Sequence, residues 1–549
     1  MRSLWQGLSP LPAWRAEFAG YSWGRAQQDL LAGITVGVVA LPLALAFGVS
    51  SGAGAASGIY TAIVAGFLAA LLGGSRYQIS GPTGAMTVVL LPIVAQYGLD
   101  KILIVGFMAG LILLALSLLR VGRLIYLIPY PVVTGFTNGI ATIIFLQQVP
   151  AFLGVKNPGG DHILPNTLEA IRQFTAQPSL LAPALGLLTV AIIVLWSRWI
   201  RRMPGSLIAL ILVTAVAVVA GLEVSQIGQI PQSLPSPQRP NISLADLSLL
   251  FSPALAVALL AAIESLLSAV VADGMTIREK HDPDRELFGQ AIANLAAPLF
   301  GGVAATGAIA RTAVNVRSGG QTRLSGMVHA LFLAAVVGAL GPWAAHIPLT
   351  ALAAILMVTA VRMIEWEAVR AIWRSTRSDL ATLLITMGVT VTFDLVLAIE
   401  VGLAVAGVLF IQRMARSMSV EPMELPAQSG IDHSLLRERV LAFRIDGPLF
   451  FAVAGEFLQS LGQVANIDAV ILRLRRVKLI DASGAQALLS LKQALERKGI
   501  AFVLSGLQEQ PQEVLQRMGL WEELTHGGLH MFEHTNQAIA YAWDQLVKK

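Results

Sequence analysis

The chain has no cysteine in its 549 residues, which excludes disulfides, thiolate metal sites and cysteine chemistry of any kind. Charge is also scarce: Asp, Glu, Lys and Arg make up 13% of the sequence, against about 25% in an average soluble protein. The eight histidines are scattered. His162, His281, His329, His346 and His433 show neither zinc-ligand spacing nor a Ser/His/Asp arrangement, so no enzyme is expected. Without a Walker phosphate loop or a Rossmann glycine run, ATP-driven pumping is not expected and no cofactor is called for. The formal net charge of +5 includes no basic patch interleaved with aromatics, which removes the case for nucleic acid as a partner. Met1 to Leu30 carries Trp5, Trp14, Arg15, Glu17, Arg25 and Asp29 without a continuous apolar core. A cleavable signal peptide is therefore not expected, and the first apolar helix serves as the insertion signal.

What is abundant is apolar sequence: 55% of residues are hydrophobic and the mean hydropathy is +0.69. Apolar runs such as 36–49, 102–119, 207–222 and 331–340 recur until about residue 412. Fourteen crossings over roughly 410 residues leave about 29 residues each, enough for a helix of about 20 residues and a short loop. A polytopic helical protein of the lipid bilayer follows. With the N-terminus in the cytoplasm, most loop cations fall on one side, among them Arg120, Arg123, Arg198, Arg201, Arg202, Arg278, Lys280, Arg285, Arg317 and Arg323. Arg362, Arg370, Arg374, Arg377, Arg413 and Arg416 join them, while the other side receives only Lys101, Lys156, Arg172 and Arg239. The positive-inside rule then places both termini in the cytoplasm, in a cytoplasmic (inner) membrane.

Two short motifs, Gly81-Pro82-Thr83-Gly84 and Ala304-Ala305-Thr306-Gly307, interrupt hydrophobic segments at matching places in two halves of the chain. Lipid cannot satisfy exposed backbone groups. A polar, Gly/Pro-interrupted stretch at membrane depth is tolerated only where it lines a protein-enclosed cavity. Either motif alone reads equally well as a loop between hairpin helices. The pairing is what separates the readings: the offset from Pro42 to Thr83 matches, within one residue, that from Glu264 to Thr306. An inverted repeat leaves this kind of internal symmetry, with a substrate site where the broken helices meet.

After Arg416 the character changes. Ser417 to Gly430 contains Pro422, Pro426 and Gly430, which reads as a linker, and the apolar runs beyond it shorten to strand length. Strands are expected at Val440–Ile445, Leu449–Val453, Ala469–Leu474 and Ala501–Ser505, and helices at Ala485–Lys498 and Gln512–Met518, making a small α/β domain.

These features together resemble the SulP family of anion permeases, which includes sulfate, bicarbonate and dicarboxylate transporters and the motor protein prestin. The resemblance rests on Ala40-Leu41-Pro42-Leu43-Ala44-Leu45-Ala46-Phe47, Ser80-Gly81-Pro82-Thr83-Gly84, and Ala308-Ile309-Ala310-Arg311-Thr312-Ala313-Val314-Asn315 with Gly319-Gly320. The tail resembles a STAS domain through Gly447-Pro448-Leu449-Phe450-Phe451 and Asp481-Ala482-Ser483-Gly484. Ala262-Ile263-Glu264-Ser265-Leu266-Leu267 and Asp273-Gly274-Met275-Thr276 resemble the bacterial C4-dicarboxylate transporters of the family.

The resemblance implies fourteen segments in a 7+7 inverted repeat, broken third and tenth helices that start near the bilayer midplane, and a core bundle moving against a gate bundle. Homodimers are common among the relatives it implies. It divides the chain into a cytoplasmic segment 1–28, a transport domain 29–416 with repeats at about 29–222 and 249–416, a linker 417–430 and a cytoplasmic STAS domain 431–549. Two helix N-termini meeting at one point present unsatisfied N–H groups and positive dipole ends, which favours a small inorganic or dicarboxylate anion. By resemblance the pocket is lined by Leu43, Phe47, Thr83, Gly84, Thr306, Gly307, Ala308, Ala310 and Arg311. Leu43 replaces a glutamine common in relatives and Ala310 a serine of prestin-like members, which makes the pocket less polar. Arg311 supplies a cation that never deprotonates, or anchors a structural network away from the ligand.

Glu264 is a carboxylate inside an apolar segment, costly in lipid and functional by default. Carried neutral across the membrane, it couples a co-transported proton to the anion. The competing readings are sodium coordination by Glu264 and Ser268, one turn apart on one face, and a structural Glu264–Arg311 salt bridge. In the tail, Ser483 sits between a strand and a helix. It reads as an N-cap, with a regulatory phosphosite as the alternative. The basic run Arg473, Arg475, Arg476 and Lys478 reads as a solvated face or as a contact for anionic lipid or a cytoplasmic partner of the domain.

Overall fold

The computed structural model describes residues 11–547 apart from 124–127, 157–162, 200–203, 229–232, 234, 239–242, 277–279, 394, 426–432, 452–466 and 526–529. The chain divides into two compact units, Met1–Ala404 and Val405–Lys549, with the division inside the helix Leu395–Arg416.

The first unit is helical. Six of its described helices are long and apolar enough to cross a membrane: Trp23–Ser50, Ala55–Leu72, Leu99–Leu118, Tyr130–Leu153, Ala245–Met275 and Leu349–Trp373. Ile163–Ala176 and Leu181–Trp196, bent by 119°, count as a seventh if taken as one span. Leu31, Leu187, Val219 and Trp343 are exposed, as lipid-facing side chains are. Lipid supplies no hydrophobic drive between helices, so small residues let backbones approach. A Cβ on Gly58 would lie 2.1 Å from the Ala44 carbonyl oxygen, which is how Ala55–Leu72 packs against Trp23–Ser50.

That first long helix begins at Trp23, with Ser22 as its N-cap, so it takes in the end of the segment expected to precede the membrane. Asp29 on it is fully buried and accepts from the N–H groups of Gln321 and Thr322 at 2.6 and 3.0 Å. The Tyr21 hydroxyl also donates to Asp29, at 2.7 Å, and burial together with this carboxylate raises the Tyr21 pKa to about 12. Glu17, on the short helix Leu11–Phe18, accepts from Arg323 Nε at 2.9 Å, and both side chains are buried.

The two sequence motifs fall at breaks. Between Ala55–Leu72 and Gly84–Tyr97 the chain forms strand β1, Ser80–Gly81; between Pro283–Ala296 and Ile309–Arg317 it forms strand β2, Thr306–Gly307. β1 and β2 pair antiparallel, Ser80 with Gly307 and Gly81 with Thr306. Glu286, Gln290 and Asn294 carry a buried polar face of Pro283–Ala296 towards these strands. Glu286 Oε2 accepts from the N–H groups of Gly74 and Ser75, each at 2.9 Å. Gln290 donates to Ser80 Oγ at 2.7 Å, and Asn294 bonds the Ala305 N–H and carbonyl at 2.8 and 2.9 Å.

The second unit contains a five-stranded sheet in the order β3-β4-β5-β6-β7: Ser419–Pro422, Val440–Asp446, Ala469–Arg476, Ala501–Ser505 and His530–Phe532. β3 runs antiparallel to β4 and the remaining pairs are parallel. Both faces are covered: Val470 and Leu472 pack with Leu488 and Phe502, while Ala469 and Ile471 pack with Ala538 and Ile539. This two-sided burial explains the unbroken apolar run in β5. Two sequence expectations change here. Part of the supposed linker, Ser419–Pro422, is an edge strand, because its backbone pairs with β4. The strand expected at Leu449–Val453 is reduced to a single bridge from Leu449 to Ile480, with 452 and 453 outside the described residues.

Candidate functional site

The pairing of β1 with β2 fixes the site. It sets the start of Gly84–Tyr97 beside the start of Ile309–Arg317, so two helix N-termini converge. First-turn amides have no intrahelical partner; here they include Gly84 and Ala85 on one side and Ile309 and Ala310 on the other. Thr83 is the N-cap of the first helix, its hydroxyl accepting from the Met86 N–H at 3.4 Å. The same hydroxyl donates to Glu264 Oε2 at 2.9 Å. Glu264 projects from Leu244–Met275 and is half-buried.

Arg311 is 2% exposed and crosses from the second break to the first, donating through Nη2 to the Pro82 carbonyl. Its Nη1 is buried with no hydrogen-bond partner, and a Cβ on Gly81 would lie 2.8 Å from that nitrogen. Only glycine leaves the guanidinium room at this position. Among the described ion pairs none joins Arg311 to Glu264, the competing structural reading; Arg311 is bonded to the Pro82 carbonyl.

The other expected residues divide into those at the helix ends and those committed elsewhere. Phe47 and Leu43 are buried in the apolar core, and Phe47 reaches the helix start: a Cβ on Gly84 would lie 3.3 Å from Phe47 Cε1 and 2.1 Å from Ile144 Cδ1. Ala308 is the N-cap of Ile309–Arg317 without a side-chain cap bond, and Ala310 lies on the exposed side of its first turn. Thr306 is fully buried and shares a hydrogen bond of 2.9 Å with Ser265, which also accepts from the Gly307 N–H at 2.9 Å. Thr306 and Gly307 thus fasten β2 to Leu244–Met275. Ser268, expected to act with Glu264, instead donates to Thr312 Oγ1 at 3.0 Å. Thr312 Oγ1 also accepts from the Ile79 N–H, so Ser268 and Thr312 tie the helix to the first break.

Sequence reasoning passed over Ile144, Ser265 and the Glu286–Gln290–Asn294 face. The last had a signal: three polar residues at a spacing of four in an apolar context mark one buried helical face. Nothing in the local sequence marks Ile144. In the second unit, the N-cap of Ala482–Glu496 is Asp481, whose Oδ1 accepts from the Gly484 N–H at 2.8 Å, and not Ser483. The aspartate takes the capping position because its carboxylate reaches that amide, leaving Ser483 exposed inside the first turn.

Helices interrupted at paired polar breaks, an apolar exterior and a separate α/β domain define a multi-pass membrane transporter and not an enzyme. The sulfate permease family model matches residues 27–386, and the STAS domain model matches residues 435–538. The chain belongs to the sulfate permease family and carries a C-terminal STAS domain. YvdB of Bacillus subtilis (strain 168), provisionally named a sulfate transporter, is 39% identical over 531 residues, covering 95% of this chain and 98% of YvdB. The bicarbonate transporter BicA of Picosynechococcus sp. is 34% identical over 530 residues, covering 90% of this chain and 91% of BicA. Among solved structures, the transmembrane domain of a cyanobacterium BicA aligns at 36% identity with a TM-score of 0.63, over 70% of this chain and 98% of that one. SLC26A9 aligns at 16% identity with a TM-score of 0.85, over 98% of this chain and 93% of that one, a likeness of fold.

Proposed function

We propose that this protein is a secondary active transporter of a small oxyanion, sulfate or bicarbonate ahead of a C4-dicarboxylate, coupled to a cation through Glu264. The observation that carries the reading is the antiparallel pairing of β1 with β2, which joins two helix N-termini at one point beside Arg311. Each helix end stabilises an anion by about 0.3–2 kcal/mol, whereas full dehydration of a carboxylate-sized ion costs on the order of 20 kcal/mol in an idealised low-dielectric medium. Helix ends alone do not offset that cost. Arg311, with an unpartnered buried Nη1, supplies the remaining positive potential, and water stays with the ion. The sulfate and bicarbonate transporters among its relatives favour those two anions. The close cover of Gly84 by Phe47 and Ile144 argues in the same direction, since a longer dicarboxylate has to displace them.

Glu264 sits where it senses the occupant, one hydrogen bond from the capping threonine of the anion-binding helix. A proton on this carboxylate travels with the anion in symport; sodium held by its oxygens is the second form of the same coupling. The engagement of Glu264 by Thr83 also suits an uncoupled exchanger or channel-like conductor, in which the carboxylate stays fixed. On this reading the transport domain spans 29–416 as two inverted repeats, 29–222 and 249–416, with fourteen crossings, and core-versus-gate motion provides alternating access. Both termini are cytoplasmic, the STAS domain occupies 431–549 with Ser419–Pro422 joined to its sheet as an edge strand, and the assembly is a homodimer in the cytoplasmic membrane. Ser483, exposed at a helix start, is a regulatory phosphosite in this scheme.

The test is uptake of radiolabelled sulfate, bicarbonate and fumarate into proteoliposomes under a proton gradient, a sodium gradient or neither, for wild type and Glu264→Gln. Accumulation of one anion with one gradient, lost in Glu264→Gln, establishes substrate and coupling together. Uptake driven only by internal anion, unchanged in Glu264→Gln, makes the protein an exchanger and removes the coupling role.

A further inference from the structure

A cavity of about 120 Å³ lies away from the paired helix ends, between the turn that follows Ala55–Leu72 and the start of Pro283–Ala296. Four cations line it: Arg76, Lys280, Arg285 and Arg323, with His281 among them. Two carboxylates, Asp273 and Asp282, share the wall, and both are committed to other donors. Asp273 accepts from the His281 N–H at 3.1 Å and from His281 Nδ1 at 2.7 Å, and Asp282 Oδ1 accepts from the N–H groups of Asp284 and Arg285 at 3.1 and 3.2 Å. Of the carboxylates behind the wall, Glu17 is bonded to Arg323 and pairs with Arg76 Nε at 3.8 Å, and Glu286 is bonded to the amides of Gly74 and Ser75.

His281 is the telling residue. Its side chain is fully buried, and with Nδ1–H given to Asp273 its Nε2 is left without a partner. A buried imidazole nitrogen left unpaired is costly unless something occupies the neighbouring space. The cavity that His281 lines provides that space, and the lining carries more positive than negative side chains.

We propose that this cavity is a second anion site, distinct from the transport site, that holds a phosphate-type oxyanion. Lys280 supplies charge at its more open side, the guanidiniums of Arg76 and Arg285 add to the positive field of the lining, and His281 Nε2 accepts from a protonated oxygen of the anion. The same chemistry is offered by free inorganic phosphate and by the phosphate of an anionic lipid headgroup. Cationic loops belong on the cytoplasmic face of a membrane protein, where both are at hand.

The experiment is equilibrium binding of radiolabelled inorganic phosphate to the full-length protein in nanodiscs of phosphatidylcholine, with parallel discs of phosphatidylglycerol and native mass spectrometry of retained lipid. Lys280→Glu changes an exposed side chain, and His281→Asn keeps a donor for Asp273 while removing Nε2. Losing one charge-assisted hydrogen bond predicts about tenfold or greater weakening of phosphate binding in each variant, and Lys280→Arg should bind as wild type does. If phosphate instead binds poorly in every disc, but phosphatidylglycerol is retained by wild type and lost from Lys280→Glu, the occupant is the lipid and the site stands. Phosphate and lipid binding identical in wild type, Lys280→Glu and His281→Asn overturns the proposal. So does phosphate binding that survives in Lys280→Glu and disappears in Arg311→Lys, since it then belongs to the transport site.

Discussion

Replacing Thr83 by valine removes one hydroxyl that performs two functions and leaves the shape of the side chain intact. The first function is capping: Thr83 Oγ1 accepts from Met86 N–H, and losing an N-cap costs about 0.5–2 kcal/mol. The second is the 2.9 Å donation to Glu264 Oε2. That bond contributes about 1.5–3 kcal/mol if the carboxylate is charged and about 0.5–1.5 kcal/mol if it is protonated. Unfolding free energy in mixed detergent micelles, measured for wild type, Thr83→Val, Glu264→Met and the double variant, separates the two functions. The cap survives in Glu264→Met, so the coupling energy of the cycle reports the Thr83–Glu264 bond alone. A coupling near 2 kcal/mol or above means that Glu264 is ionised in the resting protein. A coupling near 1 kcal/mol means that it carries a proton, which is the state that proton symport requires. Thr83→Ser should keep both functions and stay within about 0.5 kcal/mol of wild type. Strict additivity of Thr83→Val and Glu264→Met would refute the argument that the two residues form one unit of the site.

The remaining predictions concern the supports of the site and its surroundings. Arg311→Lys loses the planar fork that reaches Pro82 and leaves Nη1 free, so uptake should fall at least tenfold and stability should drop by about 1–3 kcal/mol for the lost buried bond, as proteoliposome uptake and scanning calorimetry will report. Gly307→Ala places a Cβ 2.4 Å from Gln78 Nε2 and 3.0 Å from Ser265 Cα, so it should lower the yield of folded protein and the thermal midpoint together, checked by size-exclusion profile and melting curve. Glu17→Ala leaves Arg323 buried without its carboxylate and should cost about 3–5 kcal/mol in the same micelle assay, less for Glu17→Gln. Phe502→Ala empties the core beneath the β sheet of the second unit and should destabilise that unit by about 3–5 kcal/mol, read by urea denaturation monitored at its tryptophans.

The membrane character and the position of both helix breaks could be read from sequence because lipid imposes them: apolar length and an exposed backbone leave strong patterns. The match between Thr83 and Thr306 correctly located the two segments that pair as β1 and β2. It did not show that the two threonines differ in role. Thr83 caps a helix through its hydroxyl, whereas Thr306 caps none and is tied to Ser265 and the Ala261 carbonyl, and only tertiary packing makes that distinction. Ser268 follows the same logic, since helical spacing puts it near Glu264, yet Thr312 on another element gives its hydroxyl a better partner. Strands buried on both faces were legible in the second unit, while the edge strand Ser419–Pro422 was hidden by its proline and by side chains that are half-exposed or exposed. Asp481 and Ser483 are both good capping residues, and no local pattern decides between them; the backbone entering the helix does.

The polar ties around the breaks also constrain how such a site can move. Ser265 to Thr306, Ser268 to Thr312, Gln290 to Ser80, Asn294 to Ala305 and Arg311 to Pro82 join both interrupted segments to Leu244–Met275 and Pro283–Ala296. Separating β1 from β2 would strand several buried donors and acceptors at once, each at about 1–3 kcal/mol, with no water in the hydrocarbon to replace them. Sliding one break past the other is therefore a costly route to alternating access. Motion that keeps the two helix ends together, carrying the anion with the body that holds it, leaves every one of these bonds intact. The contacts that must give way then lie at the apolar boundary of that body, such as the close approach of Ile144, on Tyr130–Leu153, to Gly84.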